Sequence, residues 1–273
     1  MTNSNNPIGV FDSGVGGLSV LRSIREQMPH EDVIYFGDQE HVPYGPRSMK
    51  QIQDFSEGIT RFLLKQNAKI IVVACNTASA AALKYLRETF SGVQFVGMEP
   101  AVKPAAEKTQ TGKVGVLATP ATFQGALYAS VVERFGAGVE LFQHTCPGLV
   151  SQIEAGELDS PKTRAILEDA LFPMLQKNID TVVLGCTHYP FVIPLIKQVV
   201  GENVRVIDPA PSVARQAKRL LEAEGLLNPS SANGDVQVFT SGDVKMVESV
   251  LPKLLKESVE VKSIVWKNDN EIL

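Results

Sequence analysis

Short runs of β-branched and aliphatic residues alternate along this chain with longer stretches in which apolar residues return every three or four positions. The runs are "IGVF" from Ile8, "VIYFG" from Val33, "KIIVVAC" from Lys69, "VQFVGM" from Val93, "KVGVLAT" from Lys113, "VELFQHT" from Val139, "TVVLGCT" from Thr181, "VRVID" from Val204, "VQVFT" from Val236 and "VEVKSIVW" from Val259. Each predicts a strand. Between them, "GLSVLRSIREQM" from Gly17, "ITRFLLKQN" from Ile59, "AALKYLRETF" from Ala81, "RAILEDALFPMLQKN" from Arg164 and "SVARQAKRLLEAEG" from Ser212 predict helices. Strand-helix alternation of this kind gives an α/β fold with mainly parallel sheets. The unbroken apolar character of "IIVV" and "TVVL" fits strands covered on both faces.

The pattern repeats internally. "IGVFDS" from Ile8 is echoed by "VGVLAT" from Val114, "VVACNTA" by "VVLGCTH", and "FVGMEPAV" from Phe95 by "RVIDPAPSV" from Arg205. The first pair lies 106 positions apart, the two cysteines 111, and Glu99 and Asp208 109. Three echoes in one order at nearly one spacing predict two pseudo-symmetric α/β domains. One half covers about residues 1–98 and the other 99–207, with a C-terminal extension. No low-complexity linker marks the join; the clearest loop is the polar segment Asn228 to Asp235.

Composition narrows the chemistry. The 273 residues are 44% hydrophobic and 21% charged, with a formal net charge of -4, and Lys and Arg are scattered. Nothing in this resembles a basic footprint for nucleic acid or an anionic membrane. No apolar stretch approaches the roughly 18 residues of a membrane span, and no signal-like segment opens the chain, so a cytoplasmic protein is expected. Three cysteines without CxxC spacing argue against a disulfide framework and against a structural zinc site.

In parallel α/β sheets ligands bind at the carboxyl ends of strands. There, "VFDSGVGG" places Asp12 and Ser13 before a glycine-rich turn that matches neither GxGxxG nor a P-loop; Asp12 suits a helix cap and a catalytic role about equally. The loop after the second strand carries Asp38, His41, Tyr44 and Gly45, and His41 is expected to be solvent-exposed. "ACNTASA" and "GCTHYP" each put a cysteine at a strand end, followed by Asn76-Thr77 or Thr187-His188 at a helix start. A helix dipole there would lower a thiol pKa. Duplication favours reactive over inert thiols, because two equivalent cysteines can converge on one cleft if the halves face each other. Removing a proton from one face of a stereocentre and returning one to the other needs such a pair, one as base and one as acid. Cys146, without an echo, reads as structural.

Taken together, "VFDSGVGG", "PYG", "ACNTASA", "TPATF" and "GCTHYP" resemble the cofactor-independent aspartate/glutamate racemase family, over essentially the whole chain. The resemblance implies interconversion of L- and D-glutamate without pyridoxal phosphate, any other cofactor or a metal, feeding D-glutamate to peptidoglycan. It implies Cys75 and Cys186 as the acid/base pair, with Asp12, Glu154 and His188 as auxiliary polar residues. It also implies substrate contacts from Asp12, Ser13, Tyr44, Gly45, Asn76, Thr77, Thr119, Thr122, Thr187 and His188. Glu154, alone on an amphipathic helix, would otherwise read as solvated surface. Finally, it implies that residues 208–273 return to complete the first domain, that the active site lies in the cleft between the domains, and that the protein is a homodimer.

Four other readings remain, of which metal binding through Cys75, Cys186 and His188 is possible in geometry but lacks the usual ligand spacing. An aspartate racemase, or a related two-cysteine isomerase or decarboxylase, would differ only in pocket size. A cysteine hydrolase using Cys186 and His188 would leave Cys75 without a task, and the i, i+2 spacing does not lead one to expect a bond between them. A two-lobed amino-acid binding protein would need neither thiol.

Overall fold

The computed structural model describes residues 3–99, 101–268 and 270–272. Strand β1 (Ile8–Asp12) is followed by α1 (Leu18–Gln27), β2 (Val33–Gly37), α2 (Met49–Lys65), β3 (Ile70–Val73), α3 (Asn76–Thr89) and β4 (Phe95–Gly97). Next come α4 (Val102–Lys108), β5 (Lys113–Ala118), α5 (Pro120–Gln124), α6 (Ala126–Phe135), β6 (Glu140–His144), α7 (Leu149–Glu154), α8 (Pro161–Leu175) and β7 (Thr181–Gly185). A 3₁₀ turn, Tyr189–Val192, precedes α9 (Ile193–Val200) and β8 (Arg205–Ile207). The chain closes with α10 (Ala210–Ala223), β9 (Val236–Thr240), α11 (Val244–Leu255), β10 (Val261–Ser263), β11 (Trp266–Asn268) and β12 (Glu271–Ile272).

These elements form two compact units: residues up to Met98 together with those from Ala210 onward, and Glu99–Pro209. The chain re-enters the first unit at Ala210 rather than at 208. Helix α10 starts there and packs its buried Ala210, Val213, Ala214, Ala217 and Leu221 as one face, with α1 alongside.

The first unit holds a six-stranded sheet in the order β10-β9-β2-β1-β3-β4, and the second a four-stranded sheet in the order β6-β5-β7-β8. Every neighbouring pair in both is parallel. Strands β2-β1-β3-β4 therefore have the same order as β6-β5-β7-β8, with β1 matching β5 and β3 matching β7: the sequence repeat is a repeat of topology. The extra strands β9 and β10 extend the first sheet beyond β2. Every residue of β1, β2, β3 and β7 is buried, as parallel strands covered on both faces require. The edge strands β6 and β8 are partly exposed. Among the described residues no helix is long and apolar enough to cross a membrane.

Two local features depart from the hydrophobic pattern. The run from Val259 is not one strand. Its first part, β10, pairs with β9, and the chain then turns into the antiparallel β11–β12 hairpin, where Trp266 packs on Phe36 and Phe55. Helix α2 begins ten residues before the apolar periodicity noted from Ile59. Its start is a capping box: Ser48 Oγ accepts from the Gln51 N–H, and Gln51 Oε1 accepts from the Ser48 N–H.

Gly58, inside α2, lets the hairpin close on the helix. A Cβ there would stand 2.6 Å from Trp266 Cζ3 and 3.0 Å from the carbonyl of Asn270. Helix propensity alone gives alanine an advantage of about 1 kcal/mol over glycine, so the two effects oppose each other. The backbone carbonyl cannot yield as a side-chain tip would, and sterics should win. Gly58→Ala is therefore expected to lower the urea midpoint of unfolding, and a raised midpoint would show that the hairpin gives way freely.

Candidate active site

Within the first unit, β1 and β3 are adjacent, with Phe11 opposite Val73, and both end among polar side chains. Asp12, the last residue of β1, has no solvent exposure. Its Oδ2 accepts from the Gly17 N–H at 2.6 Å, and its Oδ1 lies 3.4 Å from the donating Ser13 hydroxyl. A carboxylate in that position takes the place of a cap for the amide at the threshold of α1, although it is not the residue at the cap position, which is Gly17. Cys75 is the N-cap of α3, and its Sγ accepts from the Ala78 N–H at 3.4 Å. The Cys75 thiol is also 3.8 Å from Ser13 Oγ.

The helix start does not lower the Cys75 pKa. Burial, and next the charge of Asp12, push the thiol well above its ordinary value; the Ala78 N–H and Ser13 pull the other way and lose. The electrostatics at this end of the first sheet thus favour a protonated sulfur. Immediately after it, Asn76 is 6% exposed, and neither its Nδ2 nor its Oδ1 has a hydrogen-bond partner. An amide buried without partners costs on the order of 1–3 kcal/mol, so this one is suited to a ligand's polar groups. Thr77, beside it, is buried.

Tyr44 lies on the loop after β2, buried, with its hydroxyl donating to Asp38 Oδ2 at 2.7 Å. Burial, then the charge of Asp38, with Cys75 and Asp12 contributing, hold the phenol well above its usual pKa, so it stays a donor. Gly45, next to it, has open space where a Cβ would project. His41 is not out in solvent: it stacks on Phe55 with centroids 3.9 Å apart, and its Nδ1 meets Asp38. The loop contains a cis Val42–Pro43 bond.

The second unit builds a different environment on the matching strands. Ala118 of β5 is opposite Gly185 of β7, so Thr119 and Cys186 leave adjacent strand ends. Thr119 caps α5, and its Oγ1 is 3.0 Å from that of Thr122. The thiol of Cys186 is 3.8 Å from His188 Nδ1, and His188 Nε2 is 2.5 Å from Glu154 Oε1. All three are buried, so Glu154 is not the solvated carboxylate that its sequence context alone suggests, and Cys186 and His188, for which the i, i+2 spacing made a bond possible but not expected, are in contact. Burial alone would lower the His188 pKa, but its hydrogen bonds to Cys186 and Glu154 outweigh that and raise it well above the ordinary value. The His188 ring thus lies between a thiol and a carboxylate, in surroundings that favour its protonated form.

Thr187 and His188 do not begin an α-helix. They lead into the 3₁₀ turn Tyr189–Val192, and α9 starts only at Ile193. Pro194 is the reason: in a helix running on from Thr187 it would lack the needed N–H and its ring would meet the carbonyl of Pro190. Here the neighbour of the sulfur is the His188 ring rather than the N-terminus of a long helix.

Cys146 is 2% exposed, in the left-handed region at φ 45°. Burial, and next the Cys186 charge, push its thiol up to about 12. All three cysteines are free thiols, and among the described residues no cluster of three His, Cys, Asp or Glu side chains could hold a metal ion. Sequence reasoning missed the partners of Asp38: Ser241 Oγ at 2.7 Å and Trp266 Nε1 at 2.8 Å. Position just after a strand end singles out Asp38 itself, but no local pattern reaches donors more than two hundred residues away.

The family model of Asp/Glu/Hydantoin racemases matches residues 8–217. A glutamate racemase from Herpetosiphon aurantiacus is 52% identical over 239 residues, covering 88% of this chain and 94% of that protein. Among solved structures, glutamate racemase isoform RacE1 from Bacillus anthracis superposes with a TM-score of 0.86 at 35% identity, covering 96% of this chain and 98% of that one. Escherichia coli glutamate racemase, solved with L-glutamate and the activator UDP-MurNAc-ala, gives 0.84 at 33% identity, covering 98% and 99%. With strand-end thiols repeated in both units and a match over most of its length, the chain belongs to the Asp/Glu/Hydantoin racemase family.

Proposed function

We propose that this protein is a glutamate racemase that interconverts L- and D-glutamate by moving the α-proton between two thiols. The observation that carries the reading is the pair Cys75 and Cys186, each buried at the end of the matching strand in two sheets of the same order. Racemisation calls for such a pair on opposite faces of one α-carbon. A thiolate takes the α-proton and leaves a carbanion stabilised by the substrate carboxylate; the other thiol, from the opposite face, gives its proton to that carbon. The enantiomer runs the same steps with the roles exchanged. Glutamate is the substrate class named for the relatives in both comparisons.

The polar residues divide by chemistry. Asp12, beside Cys75, favours its protonated form and can take up its proton. His188, between Cys186 and Glu154, is placed to donate a hydrogen bond to the sulfur of Cys186 when that sulfur has given up its proton. The two sulfurs thus meet different neighbours, a carboxylate in one unit and an imidazole in the other. Ser13, Asn76 and Thr77 of the first unit, and Thr119, Thr122 and Thr187 of the second, offer hydroxyl and amide groups to the substrate's ammonium and carboxylates. Tyr44 and Gly45 add a donor and an open backbone edge. Action in the cytoplasm as a homodimer, supplying D-glutamate to peptidoglycan, belongs to the same proposal and rests on resemblance to the family.

Incubation with L-glutamate in deuterated water, without added cofactor, should yield D-glutamate carrying deuterium at the α-carbon. Cys75→Ala and Cys186→Ala should each lower that rate by roughly 10²–10⁴-fold, the usual worth of a positioned acid or base; undiminished turnover in either variant would sink the two-thiol mechanism. A second expectation concerns Asn76→Ala. It removes an unpartnered buried amide, so catalysis should fall while the unfolding temperature holds or rises. A clear loss of stability would mean that the amide serves the fold instead. For the auxiliary pair, NMR titration of the His188 ring should show it still protonated above its ordinary range, and Glu154→Gln should bring that titration down. An unchanged midpoint would remove Glu154 from the role of partner.

A further inference from the structure

The Asp38 cluster gathers more donors around one carboxylate than its own loop can supply. Asp38 has no solvent exposure. Its Oδ2 accepts from the Tyr44 hydroxyl at 2.7 Å and from His41 Nδ1 at 2.9 Å. Its Oδ1 accepts from Ser241 Oγ at 2.7 Å, from the Trp266 indole N–H at 2.8 Å and from His41 Nδ1 at 3.0 Å. The donors come from three places: the loop after β2, the turn after β9, and the β11–β12 hairpin. Ser241 Oγ in turn accepts from the Glu40 N–H. A charge kept from water holds its donors tightly, because losing one leaves a buried carboxylate short of solvation.

The arrangement exceeds what packing needs. The rings of Phe36 and Phe55 pack on Trp266, and the carboxylate that accepts from the Trp266 indole also fixes the Tyr44 ring at its polar end. His41 is held twice, by the carboxylate and by the face of Phe55, while its carbonyl accepts from Arg47 Nε at 3.3 Å. Both shoulders of the Tyr44–Gly45 turn are thus fastened, and Gly45 is left facing open space.

We propose that Asp38 is a positioning residue for the substrate-contacting Tyr44–Gly45 turn, and that the Trp266 indole N–H, by donating to Asp38, helps to hold that turn in place. This rests on the reading of Tyr44 and Gly45 as substrate contacts given above. Asp38 performs no proton transfer; it fixes where the turn stands before substrate arrives. The energetic consequence falls on binding, since a loosened turn must be ordered again each time glutamate enters. Trp266 is the single tryptophan of the chain, so indole emission reports on the surroundings of this one ring.

The test pairs Asp38→Asn with Trp266→Phe, which keeps a ring but removes the N–H donor. Racemisation kinetics give KM and kcat, and amide hydrogen exchange on residues 38–47 gives loop order without reference to activity. The expected result is faster exchange through the loop in both variants. KM for glutamate should rise about tenfold in Asp38→Asn and severalfold in Trp266→Phe, the scale of one lost hydrogen bond, with kcat within about threefold of wild type. A purely structural role would leave KM of the folded enzyme unchanged while thermal stability fell, and that result overturns the proposal. Unaltered exchange in both variants overturns it whatever the kinetics show. A wild-type protein that fails to racemise glutamate would refute the assigned reaction instead, and is told apart because the exchange comparison does not depend on turnover; it would also overturn the substrate-positioning part of the proposal.

Discussion

Buried charge at the ends of strands is the constraint from which this site follows. Asp12 and Asp38 sit at the carboxyl ends of neighbouring strands, both without solvent exposure, and the Asp38 N–H donates to the Asp12 carbonyl. A carboxylate so placed must find donors in the protein or lose its charge. Asp12 finds the Gly17 amide and the Ser13 hydroxyl, and so ties the glycine turn to the strand end beside Cys75. Asp38 finds Tyr44, His41, Ser241 and Trp266, and so ties the C-terminal segment to the loop after β2. The long return of the chain to the first unit has a polar purpose as well as the apolar one of adding β9, β10 and α11 to its core.

The two units share a scaffold but not an electrostatic setting. Both place a cysteine just beyond the strand that pairs with the first strand of the repeat, β3 in one case and β7 in the other. One sulfur lies beside a carboxylate and the N–H of a true α-helix, and the other beside the His188 ring backed by Glu154. Duplication thus supplies a shared scaffold, while Asp12 in one unit and His188 with Glu154 in the other make the surroundings of the two sulfurs differ.

The strands and their parallel pairing were legible because burial on both faces leaves a mark in sequence: "IIVV" and "TVVL" have no other reason to be uniformly apolar. The repeat was legible for the same reason, since it reproduces the order β2-β1-β3-β4 as β6-β5-β7-β8. The capping box at Ser48 and Gln51 was readable by its spacing but lay ahead of the apolar periodicity that marked the helix. The 3₁₀ turn after Cys186 was also written locally, in Pro190 and Pro194. The break between β10 and β11 was not: it depends on where the Trp266 ring finds partners, and Phe36 and Phe55 lie far away in sequence.

Sequence by itself determined the α/β class, the duplication and the two strand-end cysteines, because each is set by periodicities of a few residues and by their recurrence. It did not determine the state of those residues. The Cys75 thiol is raised rather than lowered because tertiary packing sets Asp12 beside it and removes water. Glu154 is a buried partner of His188 rather than a solvated carboxylate because α7 brings it to the end of β7. Asp38 meets Tyr44 and His41 within its own loop, but its donors Ser241 and Trp266 are delivered by the returning chain. Desolvation and long-range pairing depend on what surrounds a group in space, and only the folded protein decides that.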